Sequence, residues 1–83
     1  MERAKKVERA QTGVRLEKRV LKVLKALAAR YEMGLGDLIE GIVLHNFEGK
    51  QPFDEASLEF IAQMRSAYGL DLTAADSHNL TED

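Results

Sequence analysis

From Arg9 to Gly49 the sequence reads RAQTGVRLEKRVLKVLKALAARYEMGLGDLIEGIVLHNFEG, and its hydrophobic period changes twice along this stretch. Apolar and polar residues alternate over residues 9–16, which is typical of a strand that buries one face. From residue 17 the apolar residues recur every three or four positions, which is the period of an α helix. Two glycines follow at positions 34 and 36, and a second apolar pattern begins there. The stretch therefore predicts one short strand and two helices.

The predicted strand has two faces of different character. One face carries Arg9, Gln11, Gly13 and Arg15, whereas the other carries small and apolar residues that end in Leu16. A glycine in a strand adds no side chain and lets another backbone approach closely. A frayed N-terminal arm fits so short a run as well as a strand does.

The first helix is predicted from residue 17 to about Tyr31. Residues 14–33 contain neither proline nor glycine, and alanine, leucine and lysine favour helix formation. Its apolar stripe consists of Val20, Leu21, Leu24, Leu27, Ala28 and Tyr31. The opposite side carries Lys18, Lys22 and Lys25. This helix is therefore amphipathic and basic.

The second helix is predicted to start at an N-cap, Gly34, and to end at Gly49. Asp37 then falls at the third helical position, where a carboxylate meets the positive end of the helix. The apolar stripe consists of Leu35, Leu38, Ile39, Ile42 and Val43. Because Leu44 and Phe47 lie away from that stripe, we expect this helix to be buried on more than one side.

These segments resemble the ribbon-helix-helix class of DNA-binding proteins over about residues 9–49. The resemblance is carried by Val14-Arg15-Leu16, by Val20-Leu21 through Leu27-Ala28-Ala29, by the turn Glu32-Met33-Gly34, and by Leu38-Ile39-Glu40-Gly41-Ile42. It implies a mainly α fold with one N-terminal strand and two helices per chain. Two chains would form an intertwined homodimer through an antiparallel two-stranded ribbon, with a third helix added at the C-terminus.

The resemblance also implies which residues would contact double-stranded DNA. In the major groove, Gln11 and Arg15 would read base edges, and Gly13 would let the ribbon come close. The phosphate contacts would come from Arg9, Lys18, Lys5 and Lys6 and from the backbone N–H groups of Gly34 and Leu35. The dimer core would consist of Val14, Leu16, Val20, Leu21, Leu24, Leu27, Leu38, Ile39, Ile42 and Val43.

The chain departs from the family at two positions. Glu32 replaces the usual glycine, so a left-handed backbone there would be strained. Gly34 replaces the usual serine or threonine, which removes a capping hydroxyl but keeps the backbone donors. The second helix also starts beside Asp37, whose carboxylate would oppose a phosphate.

Charge divides the 83 residues into two unlike parts. Residues 1–30 hold ten basic and three acidic side chains, a net charge of +7, whereas residues 31–83 hold two basic and eleven acidic ones, a net charge of −9. Such asymmetry points to nucleic acid or membrane contact by the basic part. The simpler interpretation is that the lysines only form a solvated helix face.

A third helix is predicted at 54–68, within a segment 50–70. Asp54 is a good N-cap, Phe53 would pack on Leu58, and Gly69 would end the helix. This helix would enlarge a small core or serve as a docking surface for a protein partner. Residues 1–8 are expected to form a flexible basic arm, and residues 71–83 a disordered acidic tail.

Several classes of function lack support in the sequence. His45 and His78 lie far apart without cysteines, so neither a metal site nor a catalytic site is predicted, and His45 is expected to be packed or partly exposed. We expect a protein that is not an enzyme and needs no cofactor. No apolar run approaches the ~20 residues of a membrane span. With no cysteines and a charged N-terminus, the expected location is the cytoplasm, and the ribbon-helix-helix resemblance implies association with the nucleoid there.

Three functional hypotheses remain open. The first is a sequence-specific transcriptional regulator, acting as a repressor, that inserts the ribbon of a homodimer into the major groove. The second is an antitoxin with the same DNA-binding head, whose residues 53–83 would contact a toxin. The third is a dimerisation or scaffold module without DNA binding, which Glu32, Asp37 and the net charge of −2 favour.

Overall fold

The structure is a computed structural model that describes residues 4–82. It contains three α helices of equal length, α1 (Lys18–Arg30), α2 (Leu35–Phe47) and α3 (Glu55–Ala67), and a short 3-10 helix over Ala74–Asp76. The three helices predicted from the sequence are confirmed. The predicted N-caps Gly34 and Asp54 are confirmed as well.

The predicted N-terminal strand is wrong, and with it the ribbon-helix-helix fold. Residues 4–17 form no regular secondary structure, and none of residues 4–82 is in a strand. A strand needs a second backbone to accept and donate its hydrogen bonds. The described chain supplies no such partner, because the backbone of residues 4–16 makes no hydrogen bond to another described backbone group. Alternation of side chains alone therefore did not produce a strand.

All three helices end in the same hydrogen-bonded motif, in which two backbone N–H groups after the helix bond back to its last turn. At α1, the N–H of Met33 bonds to the carbonyl of Ala28 at 3.0 Å. The residue in the left-handed position is Gly49 after α2 and Gly69 after α3, with φ of 70° and 65°. After α1 it is Glu32, with φ of 54°. The turn between α1 and α2 is thus closed by a non-glycine residue in a conformation that favours glycine.

The core lies where α1 meets the other two helices. Leu27, Ala28 and Leu38 form the buried cluster, and Leu27 is 1% exposed. Partly buried side chains pack around this cluster: Leu24, Ile42, Phe53, Phe60 and Ile61. Because Phe60 and Ile61 belong to α3, the third helix is part of the core of this chain.

The segment after α3 folds back toward α1. The Arg65 guanidinium donates to the carbonyl of Leu72 at 2.8 Å. The 3-10 helix is capped by Thr73, whose backbone N–H donates to the Asp76 carboxylate at 2.8 Å. Leu80 lines a groove together with residues of α1 and α3. Disorder of residues 71–83 stays a prediction. If these residues were disordered, the contacts of Leu72, Thr73 and Leu80 described here would be lost.

Candidate nucleic-acid interface

One side of α1 carries only cationic and small side chains. Lys18, Lys22 and Lys25 are exposed, and no acidic residue occurs in the helix. At 1.5 Å per residue, these three lysines span about 10 Å along the helix axis. None of them forms a salt bridge with another residue of the described chain. We call this side of α1 the lysine face.

Glu17 sets the point where the lysine face begins. Its carboxylate accepts hydrogen bonds from the backbone N–H groups of Arg19 and Val20, at 2.8 and 3.0 Å. These bonds, first of all the one from Val20, hold the pKa of the Glu17 carboxyl below its ordinary value. The carboxylate therefore stays ionised and caps the positive end of the helix.

Two cation–π contacts join α1 to α3 and its cap residue, and one of them involves the lysine face. The Lys22 ammonium lies 5.8 Å from the centre of the Tyr68 ring, and the Arg30 guanidinium lies 4.5 Å from the centre of the Phe60 ring. Both distances are in the range of cation–π attraction. α3 thus supports the cations of α1 at their edge while their outer side remains accessible.

The N-terminal segment carries the residues predicted to read bases. Gln11, Gly13 and Arg15 are all exposed, as are Lys5 and Lys6. Gln11 and Gly13 line an open groove between this segment and α2, whereas the Arg15 guanidinium bonds the Glu82 carboxylate at 2.8 Å. The predicted base-contact residues therefore lie on one exposed segment that leads into the lysine face.

The predicted phosphate site at the start of α2 is acidic in the structure. Arg9 lies there and bonds the carboxylates of Glu40 at 2.9 Å and Asp37 at 3.4 Å. Gly34 caps α2 without a side-chain hydrogen bond, and Leu35 is half-buried. The positive end of this helix thus has two carboxylates and an arginine of its own chain as neighbours.

The residues predicted for a dimer core divide into three groups. Leu27 and Leu38 are buried within the single chain. Five others are half-buried: Val20, Leu21, Leu24, Ile39 and Ile42. The remaining three, Val14, Leu16 and Val43, are exposed. The exposed apolar surface continues on α2 to Leu44 and Phe47, which are 63% and 81% exposed.

Sequence reasoning missed three buried residues. Val23 belongs to the buried side of α1, and Leu70 is buried after the end of α3. Ser57 is also buried, and its hydroxyl forms a hydrogen bond with the hydroxyl of Tyr31. A polar residue in the first turn of a well-capped helix gives no signal of burial, so the Tyr31–Ser57 pair could not be found from the sequence.

The described residues offer no cluster of histidine, cysteine, aspartate or glutamate that could hold a metal ion. His45 is exposed, and its Nδ1 donates to the Gly41 carbonyl at 2.7 Å, since the carbonyl can only accept. Among residues 4–82, no helix has the length and apolar character needed to cross a bilayer.

Comparison of the chain with family models, curated proteins and solved structures found no match.

Proposed function

We propose that the chain is a homodimeric DNA-binding protein that regulates transcription, with the lysine face of α1 against the DNA backbone. The observation that carries this proposal is that Lys18, Lys22 and Lys25 are exposed side by side on a helix without acidic residues. Lysines that neutralise phosphates release bound counterions, which supplies much of the affinity of DNA-binding proteins. The lysine face therefore has the charge and the accessibility that a phosphate contact requires.

The N-terminal segment supplies the side chains that would read sequence. Gln11 and Arg15 are exposed on the segment that precedes the lysine face. Glutamine pairs with adenine and arginine with guanine in the major groove. Phosphate contacts by α1 would fix the orientation of the protein, and base contacts by this segment would select the site.

The second copy would cover the apolar side of α2. Phe47, Leu44 and Val43 are exposed in the single chain, and few hydrophobic residues are fully buried. A chain of this size gains little from its own core, and oligomerisation is a common way to enlarge one. Because a twofold dimer pairs the same patch of both copies, the apolar side of α2 is suited to meet itself.

The antitoxin hypothesis receives less support than the regulator. Its toxin-binding segment would include α3, but Phe60 and Ile61 of this helix pack on the core of the same chain. The exposed apolar side of α2 favours the scaffold hypothesis, because this side could bind a second chain without any contact to DNA. Binding to DNA decides between scaffold and regulator.

The deciding experiment measures binding of the parent chain and a triple variant, Lys18→Gln, Lys22→Gln and Lys25→Gln, to fluorescent duplex DNA across salt concentrations. Each phosphate contact contributes about 0.9 to the slope of log K against log salt. In a homodimer the triple variant removes six such contacts, so the magnitude of this slope is expected to fall by about five. Lys50→Gln is the control, because Lys50 lies outside the basic part and bonds Glu48. An unchanged slope in the triple variant would refute the proposed interface.

Sequence reading is tested separately with Gln11→Ala on DNA from upstream of the gene and on random DNA. Loss of one bidentate base contact should weaken the free energy of binding to the specific site by about 1–3 kcal/mol. Binding to random DNA should stay the same, because phosphate contacts do not depend on sequence. Equal losses on both DNAs would assign Gln11 to the backbone instead of the bases.

A further inference from the structure

Residues 71–82 return to the start of α1, where they contact Arg15 and Arg19, and we call them the acidic strap. They contain three carboxylates, Asp71, Asp76 and Glu82, and neither lysine nor arginine. The strap brings two of these charges to the N-terminal part of the chain, because Asp71 bonds Arg19 and Glu82 bonds Arg15 across 67 positions of sequence. An acidic segment thus occupies an arginine that the proposed function assigns to DNA.

The two ends of the strap are held differently. Near α3 it is anchored: Arg19 donates to the Gly69 carbonyl at 2.9 Å and to the Asp71 carboxylate at 3.1 Å. The Arg19 side chain is only 35% exposed and is also held by Glu17, and Arg65 adds the bond to the Leu72 carbonyl. This end of the strap is therefore fixed to the helices.

The far end is held weakly. In the Arg15–Glu82 pair the side chains are 85% and 73% exposed. An ion pair so accessible to water contributes little to stability and weakens with salt. Such a contact exchanges readily with a phosphate or a base edge. The strap is thus fixed at the end near α3. Its other end, where Glu82 pairs with Arg15, can be released.

We infer that the acidic strap inhibits DNA binding by occupying Arg15 with the Glu82 carboxylate, and that DNA displaces this end of the strap. The inference rests on the proposed function, because it needs DNA as the competitor. The competition is local: it concerns Arg15, while the lysines of α1 have no salt-bridge partner in the described chain. The strap therefore competes only with base contact by Arg15, and the lysines of α1 stay available for phosphate contacts.

The first test compares DNA binding by full-length Glu82→Gln with that of full-length Glu59→Gln at low salt. Both variants remove one negative charge, but Glu59 lies on α3 and has no salt-bridge partner within residues 4–82. Release of an exposed pair predicts about two- to fivefold tighter binding for Glu82→Gln and less than twofold for Glu59→Gln. The advantage should disappear at high salt. Equal effects of both substitutions, or no effect of Glu82→Gln, would overturn the inference.

The second test observes the strap directly. The chain has no cysteine, so Thr81→Cys provides a unique site for a nitroxide label next to Glu82. We expect broadened amide signals at Arg15 and its neighbours in the free protein, and recovery of these signals when duplex DNA is added. Broadening that persists in the DNA complex, or that is absent from the free protein, would overturn the inference.

The two tests separate this inference from the proposed function. If the parent binds DNA but Glu82→Gln gains nothing over Glu59→Gln, only the inhibition by the strap is refuted. If neither the parent nor any variant binds DNA at low salt, the proposed function fails and the inhibition fails with it. In that case the nitroxide still reports whether the strap lies against Arg15.

Discussion

The Arg9 guanidinium and the Glu40 carboxylate are joined by two hydrogen bonds of 2.9 Å across 31 positions of sequence. This pair fastens the N-terminal segment to α2, next to the helix start where Asp37 adds a third, longer contact of 3.4 Å. The side chains are 61% and 48% exposed, so the pair is a surface contact. It links the segment that carries Gln11 to α2.

We expect the contact that the Arg9–Glu40 pair makes between the N-terminal segment and α2 to depend on pH. The hydrogen bond from Arg9 holds the pKa of the Glu40 carboxyl below its ordinary value. A carboxyl whose pKa is lower in the folded state stabilises that state fully above the unfolded pKa, and this contribution disappears as pH falls through the folded pKa. We therefore expect the contact between the segment and α2 to weaken in acid, as pH falls through the lowered pKa of Glu40.

NMR titration of the Glu40 carboxyl checks this expectation. In Arg9→Gln the Glu40 pKa should rise toward its ordinary value, because the charge and most of the hydrogen bonding are lost. The Asp54 carboxyl is the internal control: its pKa is also lowered, but first of all by the backbone N–H of Ser57. A Glu40 pKa that does not change in Arg9→Gln would show that the pair does not form in solution.

Glu32 is the position where one substitution should stabilise the protein. It has a φ of 54°, a conformation that costs a residue with a Cβ about 1–2 kcal/mol. Glycine avoids this cost, but the greater entropy that it gives the unfolded chain lowers stability by about 0.4–1 kcal/mol. Glu32→Gly should therefore raise the free energy of unfolding by roughly 0.5–1 kcal/mol. Urea denaturation followed by circular dichroism measures the difference.

Gly49 offers the reverse substitution as a control for Glu32. It occupies the same position after α2 with φ of 70°, and a Cβ there would meet no atom within 4 Å. Gly49→Ala should lower the free energy of unfolding by roughly 0.5–1 kcal/mol, because the backbone strain exceeds the entropy that the unfolded chain loses. If Glu32→Gly destabilised the chain, the left-handed turn after α1 would be in doubt.

Leu27 should be the most costly residue to truncate in the core. It is 1% exposed and lies where α1 contacts both other helices. Leu27→Ala should lower the free energy of unfolding by about 2–5 kcal/mol, a large fraction of the 5–15 kcal/mol typical of a domain. Leu58→Ala removes the same atoms from a side chain that is 42% exposed, and should cost less than about 1 kcal/mol. Similar losses in both variants would mean that the described core is not the core in solution.

Much of the helical architecture followed from local signals. The cap at Asp54, the glycines at positions 49 and 69 and the apolar periods act within a few residues, and the structure confirms the helix ends that they predict. The strand prediction was wrong because a strand depends on a non-local partner. Its hydrogen bonds depend on another backbone, which alternation of side chains cannot supply.

The candidate interface shows the same division. The lysine face follows from helical spacing alone, since Lys18, Lys22 and Lys25 recur at intervals of four and three residues. In contrast, the partners of Arg9 and Arg15 lie 31 and 67 positions away. Ion pairs between such distant residues depend on how the chain folds back, and a stretch of polar sequence does not encode that path locally.

Phe47 provides the test of the proposed homodimer. It lies at the end of α2 with 81% of its surface exposed, near the exposed Val43 and Leu44. If a second copy covers this side, each dimer buries two Phe47 rings at about 1.5–3 kcal/mol apiece, so Phe47→Ser should raise the dimer Kd on the order of 100-fold or more. Sedimentation should then give twice the chain mass of 9.3 kDa for the parent and a lower average mass for the variant at micromolar concentration. Leu58→Ser, which removes an exposed apolar residue of α3, should sediment like the parent. A parent that sediments at the chain mass, while fully helical, would rule out this dimer and leave the apolar side of α2 to another partner.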